Sequence, residues 1–135
     1  MKTLLVLIAF AMSSSVFAAD CVNEKGEDIL NQPEVFQALI EKADSCWAAK
    51  SLAEACAWGS SLDVATAGAA YSVCQKDLDK NKPSKSLTQT LNKMNSMCNA
   101  KYSKMDGTLY RSMNSYCQLT AIGWIVDLAS DASEN

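Results

Sequence analysis

The chain has 135 residues with 12 basic and 15 acidic side chains, and it contains six cysteines but no histidine. This length suffices for one compact domain, and the net charge of −3 argues against nucleic acid as a partner, because phosphate binding needs a basic surface. Without histidine the chain lacks the usual general base and the usual activator of a nucleophile. We therefore predict a protein that is not an enzyme and that works by binding.

Residues 1–18 have the pattern of a secretory signal peptide. Lys2 supplies the positive start, and a short apolar run and small residues before the cleavage position follow it. The run is too short to span a membrane, and no other segment is long and apolar enough to do so. We predict a single exported helical domain over residues 19–135 in the bacterial periplasm or outside the cell, with a loose lead over 19–32 and a loose tail over 130–135.

The sequence of the first half of this domain predicts three helices. Pro33 can open a helix in its first turn, and apolar residues then recur at three-to-four spacing as far as Trp47. Ser51–Glu54 has the form of a capping box, which predicts a second helix from about residue 51. A third helix should begin at Ser60–Asp63 and run to about Leu78.

Small residues line the third predicted helix. They would let another backbone approach closely, which would place this helix at the centre of the bundle. The alternative is that they reflect only the high helix propensity of alanine. These residues are Ala65, Ala67, Gly68, Ala69 and Ala70.

The second half predicts a helical hairpin. A capping box begins at Ser86, an apolar stripe runs from Leu87 to Met105, and Asp106–Gly107 forms a turn after which Thr108 can cap the last helix. The predicted inner face of that helix consists of Leu109, Met113, Tyr116, Cys117, Ala121, Trp124 and Leu128. Trp47 and Trp124 are therefore predicted to be core residues; the alternative is that Trp47, Trp58 and Trp124 line a ligand site. No segment alternates with period two, so we predict an all-α fold, a small disulfide-stapled helical bundle with a C-terminal helical hairpin.

All six cysteines follow the predicted signal peptide, and an even number in an oxidising compartment indicates three disulfides. Without histidine or a Cys-x-x-Cys pair, neither a metal site nor a cofactor is predicted. Cysteines equidistant from a turn lie level in antiparallel helices. This symmetry about the turn at 106–107 and about the predicted break at 51 selects two pairs and leaves a third. The predicted pairs are Cys98–Cys117, Cys46–Cys56 and Cys21–Cys74.

The turn of the hairpin is a candidate contact loop. A disulfide close behind it would stiffen the turn, and a rigid loop loses less entropy on binding. The alternative is an ordinary turn with no contact role. The candidate partner-contact residues are Lys104, Met105, Asp106, Gly107 and Thr108.

Charge is unevenly distributed along the chain. Residues 20–63 contain nine acids and three lysines, whereas residues 76–111 contain eight bases and three acids. An acidic face would steer a basic protein towards it; the alternative is two ordinary solvated faces. The acidic pairs Glu27–Asp28 and Asp77/Asp79 lie in polar stretches and are interpreted as solvated surface.

Several short motifs over residues 44–128 resemble the LprI-type lysozyme-inhibitor family in order and spacing. They include "CWAAKSLAEAC" (46–56) and "DGTLYRSMNSYCQLTAIGWIVDL" (106–128). The region before the third cysteine of the pattern, "LNKMNSMC", lacks the Trp and Arg that the family usually carries. The matching positions are Cys46, Glu54, Cys56, Asp63, Tyr71, Cys98, Gly107, Thr108, Cys117, Leu119 and Thr120.

This resemblance implies a small, exported, cysteine-bridged helical domain that inhibits a lysozyme-type peptidoglycan hydrolase. The expected partner is then a basic protein such as a lysozyme, and Lys104 at the hairpin turn is the cation expected to pair with carboxylates in its cleft. The alternative is an immunity protein for another periplasmic cell-wall toxin, such as a secreted amidase.

Overall fold

The computed structural model describes Cys21 and residues 32–133, and this part of the chain is helical without any strand. The predicted all-α fold is confirmed. The predicted signal peptide, most of the predicted lead and residues 134–135 lie outside the described residues. The helices are α1 (Pro33–Glu41), α2 (Cys46–Ala55), α3 (Ser61–Lys80), α4 (Lys85–Tyr102) and α5 (Thr108–Ser133).

The first two helices meet at a break that the sequence pattern misplaced. α1 begins at Pro33 as predicted but ends at Glu41, and α2 begins at Cys46, so the predicted continuous face as far as Trp47 is wrong. The start of α2 is capped by Ser45, whose Oγ accepts a hydrogen bond from the Ala48 N–H at 3.2 Å. The predicted helix start near residue 51 therefore lies inside α2.

A second cap at the start of α2 comes from α3. The carboxylate of Asp77 accepts a hydrogen bond of 2.6 Å from the backbone N–H of Cys46. It also forms an ion pair with Lys80, whose Nζ lies 2.9 Å from Oδ1. The Asp77 side chain is only 16 % exposed, so its interpretation as solvated surface is wrong. Asp79 is exposed as predicted. The negative charge of Asp77 also suits the positive end of the α2 dipole.

The central helix is α3, which packs against α1, α2 and α5. Its start at Ser61 confirms the predicted start within Ser60–Asp63, and it ends at Lys80, close to the predicted end near Leu78. Ala67, Ala69 and Ala70 are buried, which confirms that small residues allow close packing here, although Ala65 and Gly68 are exposed.

The last helix, α5, buries a different face from the one predicted. Leu109, Met113, Trp124 and Leu128 are 40–61 % exposed, so their assignment to the inner face is wrong. The reason is that α5 packs on α3 and α2 as well as on α4, and its apolar residues lie all round the helix. The residues it buries are Ser112, Leu119, Ala121, Ile122, Gly123, Ile125, Val126 and Ala129.

An outer layer is formed by α4. Among the described helices its backbone lies close to α5 alone, and it buries only Leu91 and Cys98. Its one side-chain hydrogen bond to α3 in the described residues runs from Asn95 Nδ2 to the Tyr71 hydroxyl, at 2.9 Å. Its start is capped by Ser84, whose Oγ accepts a bond from the Leu87 N–H, rather than by the predicted box at Ser86. At the far end of the hairpin, α5 continues to Ser133, four residues into the stretch predicted to be a loose tail.

All six cysteines form disulfides, but two of the three predicted pairings are wrong. Cys98–Cys117 is confirmed, whereas the other bonds are Cys21–Cys56 and Cys46–Cys74 instead of Cys46–Cys56 and Cys21–Cys74. The prediction assumed a helix break at residue 51. Because α2 is continuous from 46 to 55, Cys46 and Cys56 are about 15 Å apart along it and cannot bond.

This connectivity can be tested by mapping the unreduced protein with trypsin and an endoproteinase that cuts before aspartate. Trypsin alone leaves Cys56 and Cys74 on one peptide, because no lysine or arginine lies between residues 50 and 76. A cut before Asp63 separates them. We expect linked peptides for Cys21–Cys56 and Cys46–Cys74, and recovery of Cys46 linked to Cys56 would contradict this fold.

Candidate functional site

The α2–α3 loop and the α4–α5 turn lie at the same end of the bundle, which we call the turn end. It comprises loop 56–60, turn 103–107 and the first residues of α5. Ser112 Oγ donates a hydrogen bond of 2.7 Å to Asp63 at the start of α3. A Cβ added to Gly59 would lie 2.8 Å from Leu109 Cδ1, so the loop packs directly against α5.

All five predicted contact residues, 104–108, are exposed at this end. The hairpin behind them is held by the Cys98–Cys117 disulfide and by Asn99, whose Oδ1 accepts bonds from Asn114 Nδ2 at 2.9 Å and Gln118 Nε2 at 2.8 Å. The turn itself needs a φ of +116° at residue 107, which glycine adopts without strain. Their contact role stays a prediction.

One buried carboxylate organises the turn end. Asp63 is fully buried and its two oxygens accept hydrogen bonds from the backbone N–H groups of Trp58, Gly59 and Ser60, the shortest being 2.7 Å from Gly59. Ser60 Oγ and Ser112 Oγ add two more. The same carboxylate therefore fixes the loop, the start of α3 and the start of α5.

The charged form of Asp63 is favoured in this setting. Burial by itself raises the pKa of the carboxyl, but hydrogen bonds from the Ser112 hydroxyl and from three backbone N–H groups outweigh it, so the pKa lies below its ordinary value of 3.8. The start of α3 adds a positive dipole end beside it. Asp63 is thus a structural anion rather than a proton donor.

Loop 56–60 presents an exposed tryptophan on this rigid base. Trp58 is 68 % exposed although its backbone N–H is bonded to Asp63. Leu109 and Met105, 52 % and 44 % exposed, lie in the same turn end. Tryptophan is one of the residues enriched in protein-binding hot spots, so Trp58 is the candidate anchor of the turn end.

The other two tryptophans are also exposed, so their prediction as core residues is wrong. Trp47 is 75 % and Trp124 is 61 % exposed. Trp47 stands at the start of α2, next to the Cys46 N–H that Asp77 caps near the end of α3. It therefore lies about 20 Å along α3 from the turn end.

A second surface feature is an apolar groove between α4 and α5, with a volume of about 800 Å³. It lies along the side of the hairpin. Its floor includes Tyr116, whose hydroxyl donates a 2.7 Å bond to the Ala53 carbonyl and whose pKa burial raises to about 12. Lys101 is the only charged residue in its lining. The other lining residues used below are Met94, Met97, Met113 and Trp124.

The sequence pattern missed both the Asp63 network and the role of Trp58. The signal was present in "WGSSLD" (58–63), where a glycine with positive φ precedes a capping box. What the pattern could not supply was the contribution of Ser112, which lies 49 residues further along the chain.

No family model, curated protein or solved structure matches this chain. Within the described residues, no three cysteine or carboxylate side chains are grouped so that they could hold a metal ion. Nor is any described helix long and apolar enough to cross a bilayer.

Replacing Asp63 with asparagine tests the buried carboxylate. The amide keeps one acceptor and turns its NH₂ towards backbone donors, so we expect the free energy of unfolding to fall by about 2–4 kcal/mol. Asp79→Asn is the control, because Asp79 is exposed and bonded only to Gln75. Its change should stay within about 0.5 kcal/mol in the same urea unfolding experiment.

The pH dependence of stability gives a second readout. Because the folded pKa of Asp63 lies below 3.8, its contribution is complete above pH 3.8 and is lost as the pH falls through the lower, folded value. The wild type should therefore lose more stability on acidification through this range than Asp63→Asn does. Equal losses in both proteins would show that Asp63 is not the group responsible.

Proposed function

We propose that this protein is an exported binding module whose turn end grips a basic partner protein, a lysozyme-type peptidoglycan hydrolase. The observation that carries the proposal is Trp58, 68 % exposed yet fixed through its backbone by the buried Asp63. The three disulfides support export, because such bonds persist in oxidising compartments. The resemblance of residues 44–128 to the LprI-type family supports the choice of partner.

Rigidity makes the turn end suitable for tight binding. Loop 56–60 and turn 103–107 are tied to α3 and α5 by the Asp63 bonds and by the Cys98–Cys117 disulfide. Little conformational entropy is then lost on association. A tryptophan held in this way can fill a partner's pocket and supply much of the binding free energy.

The distribution of charged residues on this protein supports a partner with a basic surface and an acidic cleft. Lys104 is exposed and forms no ion pair with another described residue. A glycoside hydrolase carries two carboxylates in its cleft, with which this ammonium can pair. On the described part of the acidic half, Glu34, Glu41 and Asp44 are exposed and would accelerate encounter with a basic enzyme. Asp44 adjoins the start of α2, at the opposite end of α3 from the turn end, so these acids act on the encounter through the field of the whole molecule and not in the contact itself.

The proposal is tested by the rate at which a lysozyme clears a suspension of cell walls. Micromolar exported protein should slow the clearing. Trp58→Ala should weaken inhibition by about 2 kcal/mol or more, because it removes the proposed anchor, and Lys104→Ala should weaken it by a smaller amount.

Trp47→Ala is the matched control for Trp58→Ala. Both remove an exposed tryptophan, but Trp47 lies at the opposite end of α3. It should leave inhibition unchanged. Full-strength inhibition by Trp58→Ala would contradict the proposed contact surface. If the wild type does not inhibit lysozyme but does inhibit a cell-wall amidase, the partner is the amidase of the alternative prediction.

A further inference from the structure

The α4–α5 groove is a separate apolar surface on the side of the hairpin. Met97 and Trp124 are 62 % and 61 % exposed there, and Met113 is 40 % exposed. Beneath them lie the Cys98–Cys117 disulfide and Tyr116. Methionine is flexible and polarisable, so such a lining adapts to an apolar chain of variable shape.

The charge of the groove lining is positive, because Lys101 is the one charged residue among the described residues that line it. Its ammonium lies 5.1 Å from the centre of the Tyr102 ring. A cationic ligand would be repelled by Lys101 at this face. The complementary ligand is an anion.

The dimensions fit a linear molecule. The Cys98–Cys117 bond sets Lys101 level with the Met113 end of the groove, and Trp124 lies eleven residues further along α5. Eleven helical residues span about 16 Å, comparable to an extended dodecyl chain. The volume of about 800 Å³ is within the range of about 300–1,000 Å³ for small-molecule sites.

We propose that this groove binds a free medium-chain fatty acid. Its carboxylate pairs with Lys101, and its chain lies over Met97 and Met113 towards Trp124. The proposal is independent of the proposed function, which uses the turn end.

The test uses Trp124 as a fluorescent reporter in the full chain. Trp47→Phe/Trp58→Phe leaves it as the only tryptophan, and both replaced residues are exposed and lie outside the groove lining. Dodecanoate, below the concentration at which it forms micelles, should shift Trp124 emission to the blue and saturate. Dodecyltrimethylammonium has the same chain and the opposite charge, so it should bind more weakly.

Substitutions then separate the head-group contact from the chain contact. Lys101→Gln should weaken dodecanoate binding about threefold and should strengthen binding of the cationic analogue, because the repulsion is removed. Lys93→Gln, on the same helix but outside the lining, should leave dodecanoate binding unchanged. Met97→Gln should weaken the binding of both ligands, because both chains contact this side chain. Circular dichroism checks that each variant is folded.

Three results would overturn the proposal. The first is no saturable Trp124 response to dodecanoate. The second is that Lys93→Gln and Lys101→Gln weaken dodecanoate binding equally, because the effect of charge would then not be specific to Lys101. The third is a Trp124 response that appears only with anionic vesicles, only with an acidic amphipathic peptide, or only as the protein dimerises, because each would assign the groove a different occupant.

Discussion

Burying a carboxylate without partners would cost several kcal/mol, and the Asp63 site offsets that cost with hydrogen-bond donors from two distant parts of the chain. Backbone N–H groups of loop 56–60 supply three of them, and Ser112 on α5 supplies a hydroxyl. The charge therefore acts as the point at which loop, central helix and last helix are placed relative to one another.

From this arrangement the two surfaces of the molecule follow. Because the loop is tied down by its backbone, its largest side chain, Trp58, points into solvent instead of folding into the core. Because α5 gives its most apolar face to α3 and α2, the side it shares with α4 is only partly filled. α4 covers it with a narrow contact around Leu91 and Cys98, and a groove lined by Met97 and Trp124 remains.

The sequence predicted features that depend on neighbouring residues and missed those that depend on distant ones. The Ser60–Asp63 cap, the central α3 and the Cys98–Cys117 bond all follow from local motifs or from symmetry about one turn. The start of α2 does not, because half of its capping comes from Asp77, 31 residues away. That single misplaced boundary led to both wrong cysteine pairs.

The exposed face of α5 could not be predicted for a related reason. Its apolar residues occur all round the helix, so periodicity alone offers two faces of similar strength. Packing against α3 decides between them, and the stripe containing Met113 and Trp124 is left outside. The exposed turn before α5 agrees with the prediction because a glycine turn and a flanking cysteine pair are both local signals, whereas the contact role of residues 104–108 stays a prediction.

The two bonds at the ends of α2 interleave along the chain, since Cys46 lies between Cys21 and Cys56, and Cys56 lies between Cys46 and Cys74. A chain that oxidised its cysteines in order would join neighbours first, because shorter loops close at lower entropic cost. The crossed pattern arises only after α2 and α3 have docked, or after an early bond has been exchanged for a later one. Maturation of this protein therefore needs either the docking of α2 on α3 before these bonds close, or an environment that reshuffles thiols as well as oxidising them.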